Sequence, residues 1–225
     1  MVIAVKMALI DLDGTMVDSV PDIAVSVDET MQALSMPNRG EQQVRLWVGN
    51  GVERLVKRSL INRIDGEPDS DLYAKALPVF MQKYAANNGR YSRVYDGVHE
   101  GIAYLKSIGI RVGCVTNKAK AFTEPLLKQL GLFDAFELVV SGDSLARKKP
   151  DPLPLLHAAD FFQVAPSQAL MIGDSVSDVK AARNAGFMVL CVSYGYNHGQ
   201  DIRVAEPDLV VDSMLQLRDN VQLLH

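Results

Sequence analysis

Cysteine, tryptophan and histidine are scarce in this chain, with two, one and four residues among 225. The two cysteines, Cys114 and Cys191, each sit inside an apolar run and read as buried thiols, not as a disulfide framework or a metal site. The histidines His99, His157, His198 and His225 stand far apart with no ligand spacing, which fits surface or capping roles, with His198 in a loop that could rim a site. No apolar run is long enough to span a bilayer. The first residues are too few, with Lys6 too central among them, for a signal peptide. Charge of one sign is also lacking: 23 Lys+Arg against 27 Asp+Glu give a net charge of −4, which removes nucleic acid and membrane surfaces as expected partners. There is no internal repeat and no low-complexity segment. The chain does have a hydrophobic fraction of 48%, enough for a full core without staples, and a length that suits one large domain or a domain with an insert. Together these features lead us to expect a cytoplasmic protein, monomer or homodimer.

The order of apolar patterns gives the architecture. Residues 5–10 form an apolar run with one lysine, which reads as a buried strand. Residues 19–93 then carry helical periodicity without a strand: helices are expected near 19–35, with Ser19 as N-cap and Asp22 in an acidic first turn, near 41–48, near 51–64 and near 71–88, bent at Pro78. From Tyr95 the pattern changes. Strands are expected at 110–115, 136–140, 169–172, 187–192 and 209–211, alternating with helices at 97–108, 118–130, 152–162, 176–185 and 213–224. Strands and helices alternating at these lengths imply parallel βαβ units, hence an α/β fold with a parallel sheet between helices. The helical stretch is an insert between the first strand and the rest.

Four polar stretches follow apolar runs, and ligands bind at the carboxyl ends of such strands. Asp11-Leu12-Asp13-Gly14-Thr15 comes first; if the strand runs on through Asp13, its period of two puts both carboxylates on one side. Buried carboxylates are costly unless a cation or a reaction needs them. Thr116 and Asn117 bring a hydroxyl, an amide and free backbone N–H groups to a helix start, which suits a phosphate. In Lys148-Lys149-Pro150, the proline biases Lys149 toward an extended backbone, from which an ammonium could offset negative charge. In Gly173-Asp174-Ser175-Val176-Ser177-Asp178, the spacing lets Asp174 and Asp178 approach one cation. Hard oxygen ligands without clustered His or Cys point to Mg²⁺. Each stretch alone also has a plainer reading: a turn, an N-cap, a solvated basic loop, a capped helix.

In this order the four stretches resemble the haloacid dehalogenase superfamily of aspartyl-phosphate enzymes, whose motifs read DxDGT, a Thr or Ser, a Lys, and GDSxxD. The resemblance spans the chain and implies a Rossmann-like core, residues 1–17 and 94–225, with an all-α cap domain, residues 18–93. It also implies roles. Asp11 attacks phosphorus; Asp13 protonates the leaving oxygen and then activates water. Asp11, the carbonyl of Asp13 and Asp174 hold Mg²⁺, with Asp178 acting through a ligand water, while Thr116, Asn117 and Lys149 hold the phosphoryl group. An acid at position 13 separates phosphatases and phosphomutases from dehalogenases and P-type ATPases.

Within the cap, Trp47-Val48-Gly49-Asn50-Gly51 resembles a loop of bacterial phosphoglycolate phosphatases, as do Thr116-Asn117-Lys118, Lys148-Lys149-Pro150-Asp151-Pro152 and Tyr194-Gly195-Tyr196-Asn197. That implies a small phosphorylated metabolite as substrate, with Gly49 and Gly51 admitting close backbone approach and Asn50 bonding a small carboxylate. A phosphosugar phosphatase, a phosphomutase and a non-catalytic phosphometabolite-binding protein remain as other readings.

Overall fold

Side chains that alternate across buried strands divide the core into two layers. The computed structural model describes residues 2–224. Its strands are β1 (Ile3–Val5), β2 (Met7–Ile10), β3 (Val17–Asp18), β4 (Arg93–Val94), β5 (Arg111–Val115), β6 (Leu138–Val140), β7 (Ala169–Gly173), β8 (Met188–Val192), β9 (Leu209–Val211) and β10 (Val221–Leu223). Its helices are α1 (Val20–Ala33), α2 (Glu41–Arg45), α3 (Val52–Ile61), α4 (Ser70–Asn87), α5 (Val98–Ser107), α6 (Lys120–Gln129), α7 (Leu153–Phe162), α8 (Val176–Ala185) and α9 (Leu217–Asn220).

Six strands make one parallel sheet in the order β6-β5-β2-β7-β8-β9. Ala8 and Ile10 of β2 pack with Ile102 of α5 and Leu126 of α6 on one face. Met7 and Leu9 pack with Leu155 of α7 and Val179 of α8 on the other. Burial on both faces is why the strands are apolar throughout instead of alternating with polar residues. The expected α/β architecture is therefore borne out. The chain builds outward from β2 through β5 to β6, then returns to β7 on the other side of β2. The direction of winding reverses there, and the reversal opens a crevice at the carboxyl ends of β2 and β7.

Three expectations need correction. The run 5–10 is not one strand: Lys6 interrupts it, and β1 pairs with β10 while β2 enters the main sheet. Strand β2 ends at Ile10, so Asp11 and Asp13 do not alternate along a strand; Asp13 makes only an isolated bridge to Val17. The expected helix 213–224 is a 3-10 turn, the short α9 and then β10. Val221 is buried in the core and pairs with Ile3, and that tertiary pairing outweighs local helical preference.

Helices α1–α4 enclose a core of their own around Trp47, Phe80 and Tyr84. Helix α4 runs on through Pro78. The two chain crossings between these helices and the sheet pair as β3 and β4, a two-residue antiparallel ribbon too short to show a period. Asp22, in the first turn of α1, fixes the return crossing. Its carboxylate is fully buried and accepts from the N–H of Gly89 at 2.7 Å, Tyr91 at 2.6 Å and Ser92 at 3.2 Å, and from the Ser92 hydroxyl. Asp22→Ala leaves these buried donors without an acceptor. It is expected to lower the unfolding free energy by about 3 kcal/mol or more, read as a lower urea midpoint with an unchanged slope.

Candidate active site

The end of β2 delivers Asp11 into the crevice. Its N–H bonds to the Ile172 carbonyl of β7 at 2.9 Å, which fixes where the side chain starts. The Lys149 ammonium lies 2.9 Å from Asp11 Oδ1 and 2.7 Å from Asp178 Oδ1. It also donates to the Val115 carbonyl at 2.7 Å. Burial lifts the Asp11 carboxyl to a pKa of about 7, with Lys149 pulling the other way. For Lys149 burial disfavours the charge, but Asp11 and Asp178 outweigh it and keep the ammonium.

Asp174 follows β7. It accepts from the Thr15 hydroxyl at 3.0 Å and from the Tyr196 N–H at 2.8 Å. Burial raises its pKa well above the usual carboxylate range, and Asp178 and Asp11 raise it further. Asp178, in the first turn of α8, forms a capping box with Ser175, accepting from its N–H at 3.0 Å and its hydroxyl at 2.7 Å. The carboxylates of Asp11, Asp174 and Asp178 offer oxygens within 4.8 Å of one another. Glycine makes this crowding possible: a Cβ at Gly195 would lie 2.1 Å from the Cβ of Asp174. The group sets three carboxyls against one ammonium; burial and mutual repulsion disfavour their full ionisation, and a divalent cation would offset that cost. The donors, all hard oxygens, fit such a cation.

Asp13 is held apart from this group. Its Oδ1 accepts from the Ser19 hydroxyl at 2.6 Å and from Lys118 Nζ at 3.1 Å, and Lys118 also reaches Oδ2 at 3.3 Å. Ser19 is thus positionally the N-cap of α1 but makes no side-chain cap. The Tyr196 hydroxyl, at 2.9 Å from the Ser19 N–H and 3.2 Å from that of Val20, accepts at the helix start instead. Thr116 is buried directly after β5, and its hydroxyl accepts from the Lys118 N–H at 3.2 Å, which leaves its own proton free to donate. The Asn117 amide donates to the carbonyls of Lys149 at 2.9 Å and Gly49 at 3.3 Å, leaving Oδ1, an acceptor, buried without a partner. That side chain ties the cap loop to the lysine loop and presents no donor to a phosphate.

A cavity of about 50 Å³ lies between the strand ends and the cap helices, bounded by Asp11, Asp13, Thr116 and Lys118 below and by Gly49, Gly51 and Tyr84 above. An open cleft of about 280 Å³ shares Gly51, Val52 and Asn117 with it and leads outward past Lys148. Gly49 and Gly51 line the cavity as expected; Asn50 does not. Pressed onto Asn117 and Lys148, the turn brings its two glycines inward, and Gly51 takes a φ of +86° that side-chain-bearing residues rarely adopt. His198 stands at the rim, Nδ1 at 2.8 Å from the Leu46 carbonyl of the cap, and burial lowers its pKa.

Sequence reasoning gave no role to Lys118, Tyr84, Thr15 or Tyr196, and read Ser19 only as a cap. The expected helix from 118 begins at Lys120, so Lys118 belongs to the turn and its side chain enters the site. Its place beside Thr116-Asn117 was the available signal. Tyr84 left none, because on α4 it reads as one more core aromatic.

The site defines a class. Residues 8–192 match the family described as haloacid dehalogenase-like hydrolase, and the chain belongs to that family. More particularly, the chain is 59% identical to the phosphoglycolate phosphatase of Nitrosococcus oceani over 95% of both chains. It is 45% identical to that of Nitrosospira multiformis, over 97% of this chain and 96% of the relative. Among solved structures, a predicted phosphoglycolate phosphatase from Haemophilus somnus superposes with a TM-score of 0.90 at 32% identity, covering 96% of this chain and 97% of the other.

The acidic group generates a test that needs no substrate. Asp174→Asn removes one of the clustered charges, so the variant should demand at least about tenfold more divalent cation for half-maximal thermal stabilisation than the parent. Equal cation titrations for the two proteins would show that Asp174 does not bind the ion.

Proposed function

We propose that the protein is a Mg²⁺-dependent phosphomonoesterase acting through an aspartyl-phosphate on Asp11, with 2-phosphoglycolate as substrate and glycolate and phosphate as products. We assign residues 1–17 and 94–225 to the catalytic core and 18–93 to the cap, in a cytoplasmic enzyme that works as a monomer or homodimer. The observation that carries the reading is the division of labour between Asp11 and Asp13. Asp11 sits with Lys149 and the acidic group, while Asp13, on the same floor of the cavity, has hydroxyl and ammonium partners of its own.

In the first step an Asp11 oxygen forms a bond to phosphorus as the ester P–O bond breaks, and the leaving oxygen takes a proton from Asp13. In the second, Asp13, now ionised, removes a proton from water as the water oxygen attacks the phospho-aspartate, and Asp11 leaves. Splitting hydrolysis in this way replaces one difficult displacement with two easier ones. Asp11, Asp174 and the Asp13 carbonyl would hold Mg²⁺, with Asp178 joining through water. The ion, when bound, supplies positive charge that offsets repulsion between carboxylate and phosphate. Lys149 adds charge from its own side, and the Thr116 hydroxyl donates to a phosphoryl oxygen. Asn117 serves by holding the Lys149 and Gly49 loops together.

The choice of substrate rests on the small cavity over Asp11 and Asp13 and on the named relatives. One water needs ~10–15 Å³ on the scale on which this cavity measures about 50 Å³, so it suits a two-carbon leaving group better than a hexose. Phosphate release from 2-phosphoglycolate should exceed that from glucose 6-phosphate by about a hundredfold or more in kcat/KM, and EDTA should abolish both. A preference for the hexose ester would replace the substrate and keep the chemistry. Asp11→Asn keeps size and fold but removes the nucleophilic charge. Turnover should fall about a thousandfold or more with an unchanged circular dichroism spectrum, and near-parental turnover would exclude Asp11 as nucleophile.

A further inference from the structure

We propose that Lys118 is the positioning residue of Asp13, and that Tyr84 of the cap completes its setting, so that Asp13 is held for proton transfer only with the cap seated. The inference rests on the phosphatase reading above and adds to it a residue pair from opposite sides of the cavity.

The geometry is specific. Lys118 leaves the turn after β5 with its own backbone fixed: its carbonyl accepts from the Gly142 N–H at 2.8 Å and the Thr123 hydroxyl at 3.1 Å. Its side chain is 3% exposed, and its ammonium bridges both Asp13 oxygens, at 3.1 and 3.3 Å. It also donates to the Tyr84 hydroxyl and lies 4.8 Å from the centre of that ring. Tyr84 is itself pinned between Phe80 of the cap and Phe122 of α6, with ring centres 5.5 and 4.5 Å away. A buried ammonium needs every donor engaged. With the cap lifted, Tyr84 is withdrawn, and Lys118 loses a partner and its shelter from water.

This arrangement suits one moment of the reaction. As the P–O bond breaks, the leaving oxygen takes the Asp13 proton and negative charge appears on the Asp13 carboxylate. Lys118 transfers nothing; it holds both oxygens of that carboxylate in place and stabilises the charge as it forms. Its contribution therefore grows with the need of the leaving group for a proton. Alkoxides need one, while a carboxylate leaves without it.

The test uses three small esters with Lys118→Met and Tyr84→Phe, reading kcat/KM with Mg²⁺ and correcting for spontaneous hydrolysis. Lys118→Met should lose about a hundredfold on 2-phosphoglycolate and on ethyl phosphate, and less than about fivefold on acetyl phosphate, whose leaving group is acetate. Tyr84→Phe keeps the ring and should show the same ordering with a smaller loss, about tenfold, in kcat and not in KM. Thermal melts confirm that both variants are folded, and if Lys118→Met is not, Tyr84→Phe decides. Equal losses on all three esters would overturn the proposal in favour of a structural or phosphoryl-binding role. A loss confined to 2-phosphoglycolate would overturn it in favour of a carboxylate anchor, and no loss on any ester would overturn it outright. A parent enzyme that releases phosphate from none of the esters would overturn the phosphatase reading and this proposal with it, whereas an active parent with unselective variants overturns the proposal alone.

Discussion

Lys149 places one ammonium between two buried carboxylates, 2.9 Å from Asp11 and 2.7 Å from Asp178, and the crevice depends on that contact. Removing one partner of a buried ion pair costs about 3–5 kcal/mol, because the charge left behind has neither water nor a counter-ion. Here the loss would leave Asp11, Asp174 and Asp178 facing one another with no cation among them. The surrounding hydrogen bonds share the burden. Asp178 is bound by the turn at the start of α8, and Asp174 by Thr15 and Tyr196. Those bonds locate the carboxylates without neutralising them, so the group keeps its demand for a cation.

The same contacts extend to the cap. Tyr196 gives its N–H to Asp174 and turns its hydroxyl toward the start of α1, where it also bonds Asp18 at 2.8 Å. Asp18 in turn pairs with Arg45 of α2 at 3.0 Å. One residue thus reaches from the acidic group to the crossing at which the cap departs. The helix start gains an acceptor from the core, and Ser19 is released to serve Asp13. A helix cap supplied from elsewhere in the chain is a device for fixing how one part sits on another.

How much of this could be read in the sequence depended on range. Strand-end positions for Asp11, Thr116 and Asp174 follow from local pattern, since apolar runs that stop at polar residues define both the sheet and its edge. The parallel sheet, the helical insert and the meeting of Asp11, Asp174 and Asp178 were legible for that reason. Side-chain destinations were not. Ser19 carries the composition of a cap, and only the position of Tyr196, 177 residues on, decides that it bonds Asp13. Asn117 reads as a donor for anions until two carbonyls claim its amide. Asn50 reads as a substrate contact between two glycines, yet the glycines take the inner places. The final strand β10 was hidden because its partner β1 lies at the opposite end of the chain.

Asp11 and Asp13 are separated by one residue, and the fold assigns them different cations. Lys149 comes from the loop before α7 and pairs with Asp11; Lys118 comes from the turn before α6 and pairs with Asp13. The divergence is possible because β2 ends at Ile10 and Gly14, at a φ of +86°, bends the chain back so that Asp13 can bridge to Val17. Asp13 still raises the cost of ionising Asp11, but each carboxylate has an ammonium of its own to offset it. Asn117 then joins the two sides, one hydrogen bond to the Lys149 carbonyl and one to the cap at Gly49. The segment that carries α1–α4 therefore reaches the partners of both carboxylates, through Gly49, bonded to Asn117 beside Lys149, and through Tyr84 beside Lys118.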